Sequence, residues 1–244
     1  MPQFVSLQRL TFALAIFVVI GLASATSVWA DQVTFSTAAG ATSGGQPVSA
    51  SVTFNVTSAN VLVITLTNNT INPASVAQNI SDVFFQAGNL TAGTLSGSSS
   101  NEINVAADGT TTAGGLGVST GWALSNGAFG PGNLSGFELT VLGTAIGPAH
   151  TIIGAPGAGG IYSNAGGSIA GNDPHNPFLN QTATFTLSIT GLTSVTQLGN
   201  INISFGTTPG AFVPTVPTPE PATMFLLGTG LVGIASIIRR RRNK

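Results

Sequence analysis

The chain has no cysteine. No disulfide framework can hold it together, although an exported chain could have used one, so stability has to come from packing and backbone hydrogen bonds. Charge is nearly as scarce: Asp, Glu, Lys and Arg make up 5% of 244 residues, and from Leu10 to Ile238 there is neither a lysine nor an arginine. That gap excludes nucleic acid as a partner, because phosphate contacts come mainly from Lys and Arg. Asp31, Asp82, Glu102, Asp108, Glu138 and Asp173 have no base to set against them, which gives the segment from Asp31 to Pro219 a charge of −6 that the whole-chain value of −1 conceals. Helical periodicity is missing as well, since no segment of that stretch repeats its apolar residues at a 3.6 spacing.

What is present at the two ends is easier to read. Arg9 is followed by an apolar run, Leu10 to Leu22, and then by Ser24-Ala25-Thr26-Ser27-Val28-Trp29-Ala30. A positive region, a short apolar core and a small-residue cleavage site form a secretory signal peptide over residues 1–30, so the mature chain is expected to start at Asp31. An uncleaved signal anchor fits less well, because the apolar run falls short of the ~20 residues a span needs. At the other end, residues 222–238 carry no charge. At ~1.5 Å per residue such a run makes a helix of about 26 Å, at the short end of the range for a transmembrane helix. Arg239, Arg240, Arg241 and Arg242, with Lys244, follow as a basic tail over 239–244. Basic residues stay on the cytoplasmic side, so this cluster stops transfer and leaves residues 31–221 outside.

Directly before the apolar run stands Pro219-Glu220-Pro221, within a Pro-rich stretch over 213–221 that reads as a linker. Prolines on both sides of one acid hold the backbone extended and accessible. The order Pro-Glu-Pro, short apolar helix, arginine cluster resembles the PEP-CTERM sorting signal of Gram-negative bacteria, over residues 219–244 together with the signal peptide. The resemblance implies an exosortase-type processing enzyme as partner, with Pro219, Glu220 and Pro221 as its recognition motif. It also implies a helix that serves as a transient handle, and delivery to the cell surface or extracellular matrix. A permanently membrane-anchored ectodomain is the alternative. No Leu-Pro-x-Thr-Gly sequence occurs for a Gram-positive sortase, and a GPI signal would not end in a basic cluster.

Between the ends, Val48 to Val56 and Ala183 to Thr190 alternate apolar and polar residues, the pattern of strands with one face to a core. Val61 to Thr67, Phe137 to Leu142 and Ile201 to Phe205 are further candidates, separated by Asn, Gly and Pro. Several short antiparallel strands predict an all-β ectodomain over 31–212, a β-sandwich of jelly-roll or immunoglobulin-like type. Ser96 to Gly121 reads as a loop or irregular edge hairpin. Gly143 to Asn180 reads as a long loop, and long loops in compact domains are often functional.

That loop holds both histidines, His150 and His175, with Asp173 and Tyr162. His150, Asp173 and His175 are the candidate ectodomain site, as a metal or acid–base group. Asp173-Pro174 and Asn176-Pro177 are natural turn formers, which gives the same residues a sufficient structural role, and no metal or cofactor is expected. Gly117 to Gly121 spells GxSxG without the strand–turn–helix setting of a hydrolase, and Gly228 to Gly233 spells GxGxxG inside the apolar run rather than after a strand. Seven Asn-x-Ser/Thr sequons, at Asn55, Asn68, Asn79, Asn89, Asn133, Asn180 and Asn202, are mostly what this composition produces by chance. The expectation is a non-enzymatic structural or adhesive surface protein whose Ser, Thr, Asn and Gly surface suits extracellular polysaccharide or copies of itself. A secreted carbohydrate-active enzyme or carbohydrate-binding module is the rival, separable by whether two carboxylates meet in a groove.

Overall fold

The computed structural model describes residues 31–170 and 175–218. The expected signal peptide, the Pro219-Glu220-Pro221 motif, the apolar segment 222–238, Arg239 to Arg242 and Asp173 therefore lie outside the described residues. Among the described residues no helix is long and apolar enough to cross a membrane, so the expected transmembrane helix finds no counterpart there. The only helical turns among them are three short 3₁₀ stretches.

Fourteen strands are formed among the described residues: β1 (Asp31–Thr37), β2 (Thr42–Ser43), β3 (Gln46–Pro47), β4 (Ala50–Ser58), β5 (Val61–Asn68), β6 (Ile80–Ala87), β7 (Gly93–Val105), β8 (Thr111–Ala113), β9 (Ala123–Ala128), β10 (Ser135–Thr140), β11 (Ile152–Ile153), β12 (Phe178–Ile189), β13 (Leu198–Phe205) and β14 (Phe212–Thr218). The β2–β3 pair is a separate ribbon, and the other twelve strands make one sheet, ordered β8-β7-β12-β5-β4-β1-β14-β13-β6-β10-β9 with β11 pairing both β12 and β6.

This corrects the expectation of a β-sandwich. A sandwich needs two sheets facing each other, whereas here a single ladder runs from β12 through β5, β4, β1, β14 and β13 to β6. The two residues of β11 then close it into an eight-stranded ring, Ile152 pairing with Leu179 of β12 and with Ile80 of β6. Closure gives partners to strand edges that an open sheet would leave as templates for aggregation. Beyond the ring, β7 and β8 extend the sheet past β12, and β10 and β9 extend it past β6.

The pattern of the sequence explains the wall. In β4, Ala50, Val52, Phe54 and Val56 are buried while Ser51, Thr53 and Asn55 face outward, and β5 and β12 alternate in the same way. An eight-stranded barrel has an interior just wide enough for side chains to fill. Here Phe54 and Phe85 lie 5.4 Å apart, Phe85 stacks on Phe137 at 5.4 Å, and Trp122 tilts onto Phe185 at 5.1 Å. Such aromatic pairs add about 0.5–1.5 kcal/mol each beyond their burial.

Two further differences bear on function. Residues 213–218, read as linker, form most of β14, which is inserted between β1 and β13 with Pro217 opposite Phe35 and Pro214 opposite Asn202. Each proline removes a ladder donor. Side chains compensate: Thr215 Oγ1 donates to the Ile201 carbonyl at 2.8 Å, and the Ser36 and Thr218 hydroxyls bond at 3.0 Å. The long segment 143–180 is also less open than a binding loop. Its residues Ile153, Tyr162, Ala165, Ile169 and Phe178 pack with Ile103 and Val105 of β7 as a second hydrophobic cluster. Tyr162 is fully buried and donates to the Gly154 carbonyl at 2.7 Å, and burial pushes its phenol up to about 12.

Candidate functional site

Two carboxylates shielded from water are set into the sheet, one on each side of the barrel closure. The first is Glu102 of β7, whose partner is His150. His150 takes up a left-handed backbone (φ 60) and its N–H donates to the Pro177 carbonyl at 2.9 Å. Its own carbonyl accepts from the Trp122 indole N–H at 2.9 Å. The ring is wedged between two acceptors, with Nδ1 2.8 Å from the Thr120 carbonyl and Nε2 3.0 Å from Glu102 Oε1. Glu102 Oε2 accepts from the Gly115 N–H at 3.0 Å.

This geometry decides what His150 can do. The Thr120 carbonyl can only accept, so Nδ1 carries a proton. Glu102 stands against Nε2, so both ring nitrogens are engaged by protein groups and neither is open to a metal or a substrate. The contact ties β7, the 114–122 segment and the turn before β11 together.

Of the three candidate site residues, His150 is thus committed to Glu102, which the sequence reading did not link to it, and Asp173 lies outside the described residues. His175 is half-buried, and its Nδ1 has no hydrogen-bond partner among the described residues. The next residue, Asn176, is fixed to β7 by paired bonds with the Val105 backbone at 2.9 and 3.0 Å. No group of three or more His, Asp or Glu among the described residues could hold a metal ion.

The second carboxylate is Asp82 of β6. This strand is buried on both faces: Val83, Phe85 and Ala87 enter the main core, and Asp82 and Phe84 lie on the opposite face. Phe84 is covered there by Phe212, 6.1 Å away, and by the backbone at Gly130 and Gly136, where a Cβ would come within 2.5 and 2.8 Å of its ring. Asp82 has no exposed surface. It stands opposite Ser204 of β13 and Thr140 of β10, and diagonally from Glu138, which pairs with Phe84. Diagonal neighbours of this kind lie roughly 7–8 Å apart. Burial, reinforced by the Glu138 charge, raises Asp82 to about 7. The Ser81 and Ser204 hydroxyls face the carboxylate and oppose that rise, yet they fall short of hydrogen-bond geometry, and neither Asp82 oxygen has a partner among the described residues. Glu138, about half-buried, is itself raised by desolvation.

The outer wall has its own regularity. Thr218, Thr34, Thr53, Thr65, Thr184 and Ser99 stand in register across β14, β1, β4, β5, β12 and β7, six hydroxyls in one row. A second row runs through Ser36, Ser51, Thr67 and Thr182. Bonds between hydroxyls, Thr34 to Thr53 at 2.8 Å and Thr67 to Thr182 at 3.2 Å, hold neighbours in place. Of the sequon asparagines, Asn68, Asn79 and Asn202 are buried, so the folded barrel has no room for a sugar at these three.

Residues 217–242 match the PEP-CTERM protein-sorting motif. The match includes Pro219, Glu220, Pro221 and Arg239 to Arg242, and it begins inside β14, whose last residue is Thr218. The chain therefore carries a PEP-CTERM sorting signal, which implies export, processing by an exosortase and sorting to the cell surface. No curated protein and no solved structure matches the chain.

Proposed function

We propose that the barrel is a non-catalytic module delivered by exosortase processing to the cell surface, where its hydroxyl-lined wall contacts matrix polysaccharide. The observation that carries this reading is the position of Pro219-Glu220-Pro221 within the matched sorting motif, directly after Thr218, the last residue of β14, so that cleavage at Pro219 to Pro221 leaves every ring strand intact. The wall supports the polysaccharide part. Its rows of Ser and Thr offer uncharged donors and acceptors at the ~4.8 Å spacing of neighbouring strands.

The rival reading, a carbohydrate-active enzyme, would rest on Asp82 and Glu138, neighbouring acids that burial raises, Asp82 the more strongly. A glycosidase needs both carboxyl groups to touch the scissile bond or its water. Asp82 has no exposed surface to offer a substrate, which favours the non-catalytic reading.

Replacing Pro219, Glu220 and Pro221 together by alanine tests the delivery step in the native host. The wild-type chain is expected in the surface or matrix fraction and the variant in the cell envelope; equal distribution would overturn the assignment. Binding of the purified protein to the host's matrix polysaccharide tests the wall. Affinity should be nearly unchanged between about 0.1 and about 1 M NaCl, because uncharged contacts are barely screened, and a collapse at high salt would contradict it.

A further inference from the structure

The Asp82 carboxylate presents a problem of charge balance that the composition makes acute. An ionised carboxylate buried without a partner is costly, and proteins neutralise it with a proton, a basic side chain or a metal ion. A lysine or arginine is excluded, since none occurs between Leu10 and Ile238. His150 is already paired with Glu102, and His175 is not among the groups that act on Asp82. Among the described residues no basic side chain neutralises Asp82, so its counter-charge comes from solution.

The oxygens around it are of one kind. Both Asp82 oxygens, Ser81 Oγ and Ser204 Oγ are buried with no hydrogen-bond partner among the described residues. Ser204 is fully buried, and its hydroxyl faces Asp82 from the adjacent strand although nothing else engages it. Thr140, on the other side, is occupied: its hydroxyl donates to the Ser81 carbonyl at 3.3 Å and accepts from the Leu142 N–H at 3.0 Å. Glu138 adds a second carboxylate at the half-exposed margin, where an ion can arrive from solvent.

We propose that Asp82, Glu138, Ser81 and Ser204 form a binding site for a hard divalent cation, Ca²⁺. The donor set is all oxygen, with up to four carboxylate atoms and two hydroxyls. Calcium accepts 6–8 oxygen ligands in irregular geometry, while Mg²⁺ demands a near-ideal octahedron and gives up its water reluctantly. Nitrogen and sulfur, which zinc prefers, are missing from the set. Bound there, the ion neutralises Asp82 and cross-links β6, β10 and β13, stabilising the barrel. Extracellular calcium modules bind in the ~10⁻⁴–10⁻³ M range, and a calcium concentration of about 10 mM lies above it.

The test is thermal unfolding of the purified full chain near pH 7.5, in chelator and in about 10 mM CaCl₂, with MgCl₂ and an ionic-strength-matched NaCl control. Calcium should raise Tm by about 3–6 °C, magnesium by less and NaCl by almost nothing. Asp82→Asn should melt higher than wild type in chelator, because a neutral amide replaces the buried charge, and should lose the calcium shift. Glu138→Gln should keep the chelator Tm close to that of wild type and reduce the calcium shift. A wild-type Tm indifferent to calcium would overturn the proposal and leave the proton as the counter-charge of Asp82. A calcium shift that survives in both variants would overturn it equally, by placing the ion elsewhere.

Discussion

Glu102 and Asp82 are both carboxylates on strands flanking the barrel closure, both largely withdrawn from water, and they are treated in opposite ways. Glu102 has a histidine on one oxygen and a backbone N–H on the other. Asp82 has two hydroxyls out of bonding geometry and a second acid nearby. With no Lys or Arg in the barrel, one of the two carboxylates has hydrogen-bonding partners on both oxygens and the other has none among the described residues. The satisfied pair is a structural clamp, and the unsatisfied one is where chemistry from outside can act.

Titration sharpens the contrast most. The folded chain keeps the Asp82 proton up to about 7 while the unfolded chain releases it near 3.8, so between those values the folded state is the more protonated. Stability in chelator therefore falls as pH rises through that window, by on the order of 4 kcal/mol in total, and levels off above it. Chemical denaturation at a series of pH values should show the slope in wild type and lose most of it in Asp82→Asn. A wild-type curve that is flat or rises from pH 4 to 7 would remove the basis of the comparison.

Breaking the clamp comes next. His150→Ala takes away the partner of Glu102 and the bond to the Thr120 carbonyl, and should cost about 2–3 kcal/mol, somewhat below a fully buried pair because Glu102 keeps some exposure. Urea midpoints measure it, and a loss below about 0.5 kcal/mol would mean the clamp contributes little. Smallest is Glu138→Gln, which removes only the Coulombic contribution to Asp82, secondary to burial. The pH window should shift down by less than about one unit and stability should change by under about 1 kcal/mol.

The sequence was legible where only one face of a strand is buried. β4, β5 and β12 show their alternation directly, because Ser and Thr mark the outer face. β6 is not legible in that way: Ile80 to Phe85 is buried throughout, so the period of two vanishes, and a lone acid inside an apolar run was the available sign of an unusual site. The β11 closure is two residues in a Gly- and Pro-rich stretch, and its pairing with Leu179 and Ile80 is set by tertiary packing, which a local pattern cannot express. The barrel was hidden from a reading that found antiparallel strands and inferred a sandwich. The His150–Glu102 contact spans the β7–β11 separation and leaves no spacing signature. The sorting signal needed none of this, since prolines, apolar length and arginines are adjacent along the chain.

The intact mass of the protein recovered from the surface of its native host, with its C-terminal peptide identified, decides whether the motif is cleaved. A chain beginning at Asp31 and ending at or near Pro219 to Pro221, with the barrel complete through Thr218, is expected. A chain that still ends at Lys244 would contradict processing at the motif and with it the route to the surface.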